Sequence, residues 1–243
     1  MRTDLNSLSH SIACFIAGAH LISQPKLRRF VIIPLIVNFA LFGLASWLLW
    51  HYLSTTVNSM LPDWLSWLAW LVLPVFLLSI LTIVYYCFTL LANIIAAPFY
   101  GQLSKGVEAH LRGQPYIEPA SGSVFREVLQ MLNLERRKFS YYLLRAIPLL
   151  LLSIIPGVNA ISLPVWLLFS AWFLTFEYGG YSFENHQIMF NEQKRILNKS
   201  RLNSLTFGGV SLLATMVPVI NLFAPAISVA GATKMFYERG ELD

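Results

Sequence analysis

The sequence predicts an all-α integral membrane protein with two long transmembrane helices, two re-entrant (partially penetrating) helical hairpins and interfacial amphipathic helices. Three observations lead there. Hydrophobic residues make up 56% of the chain and charged residues only 12%, about half the charged share of an ordinary soluble domain. Four long apolar runs, the shortest 24 residues, carry no Lys, Arg, Asp or Glu. Two of those runs are broken in the middle by the same Pro-x-x-Asn punctuation. The net charge of +5 lies between the runs, as in loops facing anionic lipid, and no basic stretch is interleaved with aromatics as nucleic-acid binding would require. Residues 1–243 read as a single membrane domain.

In chain order, residues 5–22 form an amphipathic helix for the interface or the bundle surface. Leu8, Ile12, Phe15, Ile16, Ala19 and Ile22 fall near one face, with Ser7, Ser11, Cys14 and Gly18 elsewhere. Ser23-Gln24-Pro25-Lys26-Leu27-Arg28-Arg29-Phe30 follows. Pro25 suits a first helical turn, which would leave the N–H groups of Lys26 to Arg28 without intrahelical partners among three cationic side chains. Such a stretch either binds an anion or anchors a membrane helix at the interface. Residues 30–53 give the first transmembrane helix, 24 uncharged residues where about 20 suffice, with Pro34 near its start and Trp47, Trp50 and Tyr52 as an aromatic belt. Residues 64–100 hold the second, ending at the break Pro98-Phe99-Tyr100-Gly101. Residues 102–145 are the polar, cytoplasmic or interfacial section, whose 124–145 part is an amphipathic helix with a solvated basic face.

The hairpins are residues 146–176 and 202–233. The first contains Pro156-Gly157-Val158-Asn159 and the second Pro218-Val219-Ile220-Asn221. Arms of about 10–17 residues fall short of a ~30 Å hydrocarbon core. Re-entrant arms place all 17 Lys and Arg on one side, as the positive-inside rule prefers; four full spans would move the 177–201 loop across. In the hairpin arrangement Asn159 and Asn221 are N-caps at the tips, and the returning half-helices aim positive dipole ends into the membrane. Tight turns within a packed bundle are the plainer reading of the same residues.

Little enzymatic chemistry is readable. Gly101-Gln102-Leu103-Ser104-Lys105-Gly106 lacks the ending of a phosphate-binding loop, so ATP coupling by this chain is not expected. No carboxylate lies deep in an apolar run to relay protons, and Glu177 and Glu184 are expected to pair with basic neighbours. Cys14 and Cys87 make no disulfide framework, the five histidines are scattered, and neither a metal centre nor a cofactor is expected. No cleavable signal peptide is expected either.

Several stretches, in order, resemble the CysZ sulfate permease family of bacterial inner membranes. They are Gln24-Pro25-Lys26-Leu27-Arg28-Arg29-Phe30-Val31, Ile33-Pro34-Leu35-Ile36-Val37-Asn38, Ala96-Ala97-Pro98-Phe99-Tyr100-Gly101 and Ile155-Pro156-Gly157. Further along come Phe169-Ser170-Ala171-Trp172, Glu184-Asn185-His186, Phe207-Gly208, Val217-Pro218-Val219-Ile220-Asn221 and Gly231-Ala232-Thr233. The resemblance implies a multi-pass protein of full and partial spans that takes up sulfate for cysteine biosynthesis. Sulfite and related oxyanions are the neighbouring substrates, and a homo-oligomer in the bilayer is the expected assembly. It places the sulfate site at Leu27, Arg28 and Arg29. Lys26 stands where many members carry Gly, adding charge and bulk where glycine would let the backbone approach an oxyanion. Pro156, Asn159, Pro218 and Asn221 then line or gate the path. The alternatives are a non-transporting membrane scaffold and, with less support, a membrane enzyme.

These readings fix a topology test. In a background with Cys14→Ser and Cys87→Ala, single cysteines placed at 54–60 should react with an impermeant thiol reagent from the periplasm. Cysteines at 159, 187 and 221 should stay unlabelled from that side. Periplasmic labelling at 187 would establish four full spans.

Overall fold

The computed structural model describes residues 7–60, 95–116, 124–157 and 159–242, with a few helical positions between 75 and 82. For residues 49–50, 52–60 and 124–137 only the backbone is described. The regular elements among the described residues are helices: α1 (Leu8–Ile22), α2 (Arg29–Met60), α3 (95–111), α4 (Val124–Ile154), α5 (Asn159–Asn185), α6 (Phe190–Lys199), α7 (Arg201–Met216), α8 (Pro218–Asn221) and α9 (Ala224–Glu238). They fall into two compact units, Ile32–Ala97 and the remainder of the chain.

In the smaller unit α2 is apolar and outward-facing. Ile36, Phe39, Phe42, Leu44 and Trp47 are each more than half exposed, a state stable only where lipid or another chain replaces water. Arg29–Leu48 is long and apolar enough to cross a membrane, as the expected span 30–53 requires. The expected span 64–100, which includes Cys87, lies largely outside the described residues.

The larger unit is built on α9. Ala224, Ala226, Ile227, Ser228, Val229, Ala230, Gly231, Ala232, Thr233, Met235 and Phe236 are all buried, so the helix is covered on every side. Its neighbours are α1, α5 and α7. Gly18 of α1 lies on the backbone of Ile227 and Gly231, and a Cβ added at Gly231 would stand 2.8 Å from the Cys14 carbonyl. Lipid tails are as apolar as leucine, so close packing of small residues has to join such helices. Hence α1 buries Ser11, Cys14, Gly18 and Leu21 and leaves Leu8, Ile12 and Ile16 exposed. The face it buries is the small one, and the apolar face is the open one.

The chain breaks come where Pro156 and Pro218 predict them. A turn at Ile155-Pro156-Gly157, with Gly157 at φ +84°, joins α4 to α5. These helices run antiparallel: Trp166 Nε1 donates to Ser153 Oγ at 3.1 Å and Trp172 Nε1 to the Tyr141 hydroxyl at 3.3 Å. Between α5 and α7, Thr175 Oγ1 donates to the Ser204 carbonyl at 2.5 Å, and Gly208 sits against the Ala171 carbonyl. That pairing is antiparallel too, so the turn after α4 and the turn around α8 lie at one end of this unit.

The arms are longer than expected. Helix α4 runs unbroken through residue 145, where a boundary was expected, and has 31 residues; α5 has 27, continues past 176 and is itself long and apolar enough to cross a membrane. The capping expectation for Asn221 is corrected. Asn221 closes the four-residue α8, and the N-cap of α9 is Phe223, which makes no side-chain cap bond. Pro225 in that first turn has no N–H, which reduces the need for a cap. Asn159 opens α5, where its carbonyl accepts from Ser162 Oγ at 2.6 Å, and the preceding position lies outside the described residues.

Gly208 provides the packing test. A Cβ there would meet the Ala171 backbone and Thr175 Oγ1, whereas one at Gly209 would meet nothing within 4 Å. Gly208→Ala should lower stability by about 1–3 kcal/mol, as overpacking does. Gly209→Ala should be neutral or raise it, since alanine favours the helix. Thermal unfolding of the purified pair in detergent reads the difference, and equal stabilities would refute the close α5–α7 contact.

Candidate anion site

The loop between α1 and α2 carries Lys26, Leu27 and Arg28, and Arg29 opens α2. The loop folds as a turn and not as the start of a helix. The Gln24 carbonyl accepts from the N–H of Leu27 at 3.0 Å and of Arg28 at 2.9 Å, and α2 begins at Arg29. Two of the three backbone donors expected to be open, those of Leu27 and Arg28, are therefore used within the turn. Pro25 sits exposed in the turn and not in a first helical turn. Recognition of an anion here falls mainly to side chains.

Side-chain alternation sorts the loop. Leu27 is 2% exposed and Phe30 3%, and Val31 is buried with them, while Lys26, Arg28 and Arg29 face outward. Leu27 and Phe30 lie over Gly106 of α3, and Phe30 meets the Tyr116 ring edge-on with centroids 5.5 Å apart. Gln24 Nε2 and His110 Nε2 are 3.2 Å apart, tying the turn to the far end of α3. The Arg29 guanidinium rests 4.7 Å above the Phe30 ring and 5.7 Å from that of Tyr116, a cation–π arrangement that orients it. Among the described residues no carboxylate pairs with Lys26 or Arg28. Two guanidinium forks and an ammonium on one clamped turn form an electropositive patch suited to a multivalent oxyanion.

Pro156, Asn159, Pro218 and Asn221 stand at the turn end of the larger unit, all exposed. Around them Ile154, Leu163, Met216 and Val219 are each more than half exposed. No described hydrogen bond or ion pair joins these tips to Lys26, Leu27 or Arg28.

Buried polar groups that the sequence did not single out bind the helices together. Lys138, expected on a solvated face, is 3% exposed and ion-paired with Glu184, which meets the expectation that Glu184 pairs. Glu108 holds His186 Nε2 at 2.7 Å and Arg112 at 2.8 Å. Asn185 Nδ2 donates to the Gly101 carbonyl at 3.1 Å, so the Pro98–Gly101 and Glu184–His186 stretches are neighbours in space. Ser104, Ser182 and Thr233 close a fully buried ring of hydroxyls with separations of 3.1, 2.7 and 3.0 Å. His10, Cys14 and Glu238 also come together where no metal-ligand group was expected. Burial, reinforced by Glu238, pushes the Cys14 thiol up to about 12, and burial lowers His10 against the pull of the same carboxylate.

Residues 14–225 match the family model described as sulfate transporter CysZ/etoposide-induced protein 2.4. The chain belongs to this family. The CysZ/etoposide-induced protein 2.4 match takes in the basic turn and both Pro-x-x-Asn breaks. Membership in a transporter-type family, together with two helices able to cross a bilayer, makes this a membrane protein with a transporter-like role.

The clamp can be separated from the ligating groups. Leu27→Ala removes a buried anchor and should cost about 2–5 kcal/mol of stability. Leu27→Met, nearly equal in volume, should restore most of it. Thermal unfolding of both variants checks this; an alanine variant as stable as the parent would show that Leu27 is not the clamp.

Proposed function

We propose that this protein is a sulfate permease of the bacterial inner membrane that carries sulfate inward for cysteine biosynthesis without hydrolysing ATP itself. Arg28 and Arg29 capture the dianion, Lys26 adds to the attracting field, and Leu27 holds the turn in place. The observation that carries this reading is the basic turn, with Lys26, Arg28 and Arg29 outward over buried Leu27 and Phe30, inside a stretch matched to a family with a sulfate transporter in its description. The two turns at one end of the larger unit, ringed by exposed apolar side chains, support hairpins that enter the bilayer and return. Their residues Pro156, Asn159, Pro218 and Asn221 then line or gate the route, in a homo-oligomer that completes it. The competing reading is a non-transporting membrane scaffold whose hairpins merely wedge into one leaflet.

Sulfate is a tetrahedral dianion whose hydration must be replaced by many donors, and two adjacent guanidinium forks supply several in fixed geometry. Arg28→Ala or Arg29→Ala should each cost about 1.5–3 kcal/mol of sulfate binding. Arg→Lys keeps the charge, loses the fork and should recover only part of that. Calorimetry on purified single variants measures the affinities, and radiolabelled sulfate uptake into proteoliposomes measures transport. Unchanged affinity in both alanine variants would return the turn to an interfacial anchor. No uptake by the folded parent protein would overturn the transporter reading.

A further inference from the structure

His10 and Cys14 lie four residues apart on α1, the spacing that puts two side chains on one helical face. Glu238, the last residue of α9, meets them from the antiparallel helix. Their donor atoms form a triangle: His10 Nε2 to Cys14 Sγ is 3.4 Å, Cys14 Sγ to Glu238 Oε2 is 3.7 Å, and His10 Nε2 to Glu238 Oε2 is 3.4 Å. The last separation is long for an N–H···O bond, whose usual length is about 2.9–3.0 Å. It suits another geometry. A tetrahedral zinc ion with bonds of roughly 2.0–2.3 Å to N, O and S has ligand–ligand edges of about 3.3–3.6 Å. The three observed separations are close to those edges. We propose that His10, Cys14 and Glu238 form a binding site for a divalent transition-metal ion of the zinc type, with water completing the coordination.

The donor chemistry agrees with the geometry. One imidazole nitrogen, one thiolate and one carboxylate are the ligand types zinc accepts, and thiolate plus carboxylate would neutralise the ion's charge. Cys14 is 1% exposed and the His10 side chain 9%, so the site is sheltered, while Glu238 at 29% leaves it open on one side. The carboxylate is divided between two tasks. Oε1 is ion-paired with Lys234, and Oε2 faces His10 and Cys14, so an outer partner orients the ligating oxygen. Arg239 and Lys234 are the cations near the site, and their repulsion sets a limit on affinity. A bound ion would join the start of the first described helix to the end of the last, across the contact made by Gly18 and Gly231. The site depends neither on sulfate nor on the transport reading.

The full-length chain, purified in detergent and stripped with a chelator, would be titrated with Zn²⁺ and separately with Co²⁺. One equivalent per chain is expected, with Co²⁺ giving a thiolate-to-cobalt charge-transfer band and the intense visible absorption of four-coordination. Cys14→Ser should abolish the charge-transfer band and weaken Zn²⁺ by more than about tenfold, and His10→Ala should weaken Zn²⁺ similarly. Cys87→Ala should change neither. Far-ultraviolet circular dichroism checks that each variant is folded; if Cys14→Ser is not, His10→Ala and Glu238→Gln decide. The proposal is overturned, leaving a hydrogen-bonded cluster only, by a parent chain without stoichiometric Zn²⁺ uptake. Unaltered Zn²⁺ affinity in the folded ligand variants would overturn it equally.

Discussion

The backbone contact between α1 and α9 at Gly18 and Gly231 is the constraint on which the larger unit depends. Helices in lipid gain nothing by hiding apolar side chains from a solvent that is itself apolar, so contact area must come from close approach. Small residues on every side of α9 allow α1, α5 and α7 to reach it together. The same rule repeats between α5 and α7, where Gly208 meets the Ala171 carbonyl. Large apolar side chains are displaced outward as a result, which is why Ile12 and Ile16 are exposed while Ser11 and Cys14 are buried.

Close approach also places polar groups where each needs a partner. The Ser104–Ser182–Thr233 ring joins α3, α5 and α9 at one point, and the Val229 carbonyl, 2.8 Å from Thr233 Oγ1, is an alternative acceptor for that hydroxyl's single proton. Lys138 and Glu184 do the same for α4 and α5 by charge. Such a buried pair adds little net stability against a well-packed apolar pair, yet removing one partner strands a charge at about 3–5 kcal/mol. Its effect is to penalise any register of α4 on α5 other than the observed one. The extension of both helices beyond their apolar stretches follows, because Lys138 and Glu184 lie in those extensions and find each other there.

What could be read from the sequence divides along physical lines. Proline interrupts a helix through its own backbone, so Pro156 and Pro218 announced the breaks without any knowledge of neighbours. The uncharged run after Phe30 likewise announced a spanning helix. Periodicity could not tell which face of α1 is inside, since in lipid the apolar stripe and the buried stripe are different faces. Nor could a charge run reveal that Lys138 is buried, because its partner lies 46 positions away on another helix. Pro25 was expected in a first helical turn and sits in a non-helical turn instead, because proline suits both equally well. The i, i+4 spacing of His10 and Cys14 was passed over when the histidines were read as scattered, and the third member of the cluster, Glu238, lies 224 positions beyond Cys14.

The basic turn differs from the ionic groups inside the larger unit. There Lys138 is matched by Glu184 and Arg112 by Glu108, charge against charge, as a low-dielectric surrounding requires. At Lys26 and Arg28 the turn instead presents cations with no carboxylate against them among the described residues. Like charges so close repel, and on an isolated exposed chain they would separate. Here Leu27 and Phe30 on the α3 surface hold them together, so the repulsion is borne by the packing beneath. In the proposed sulfate site a multivalent anion would offset the repulsion among these cations. In that proposed site Lys26 supplies a third cation beside Arg28 and Arg29. The Leu27 and Arg28 N–H groups are already bonded to the Gln24 carbonyl, so an anion at the proposed site would meet side chains rather than these backbone donors.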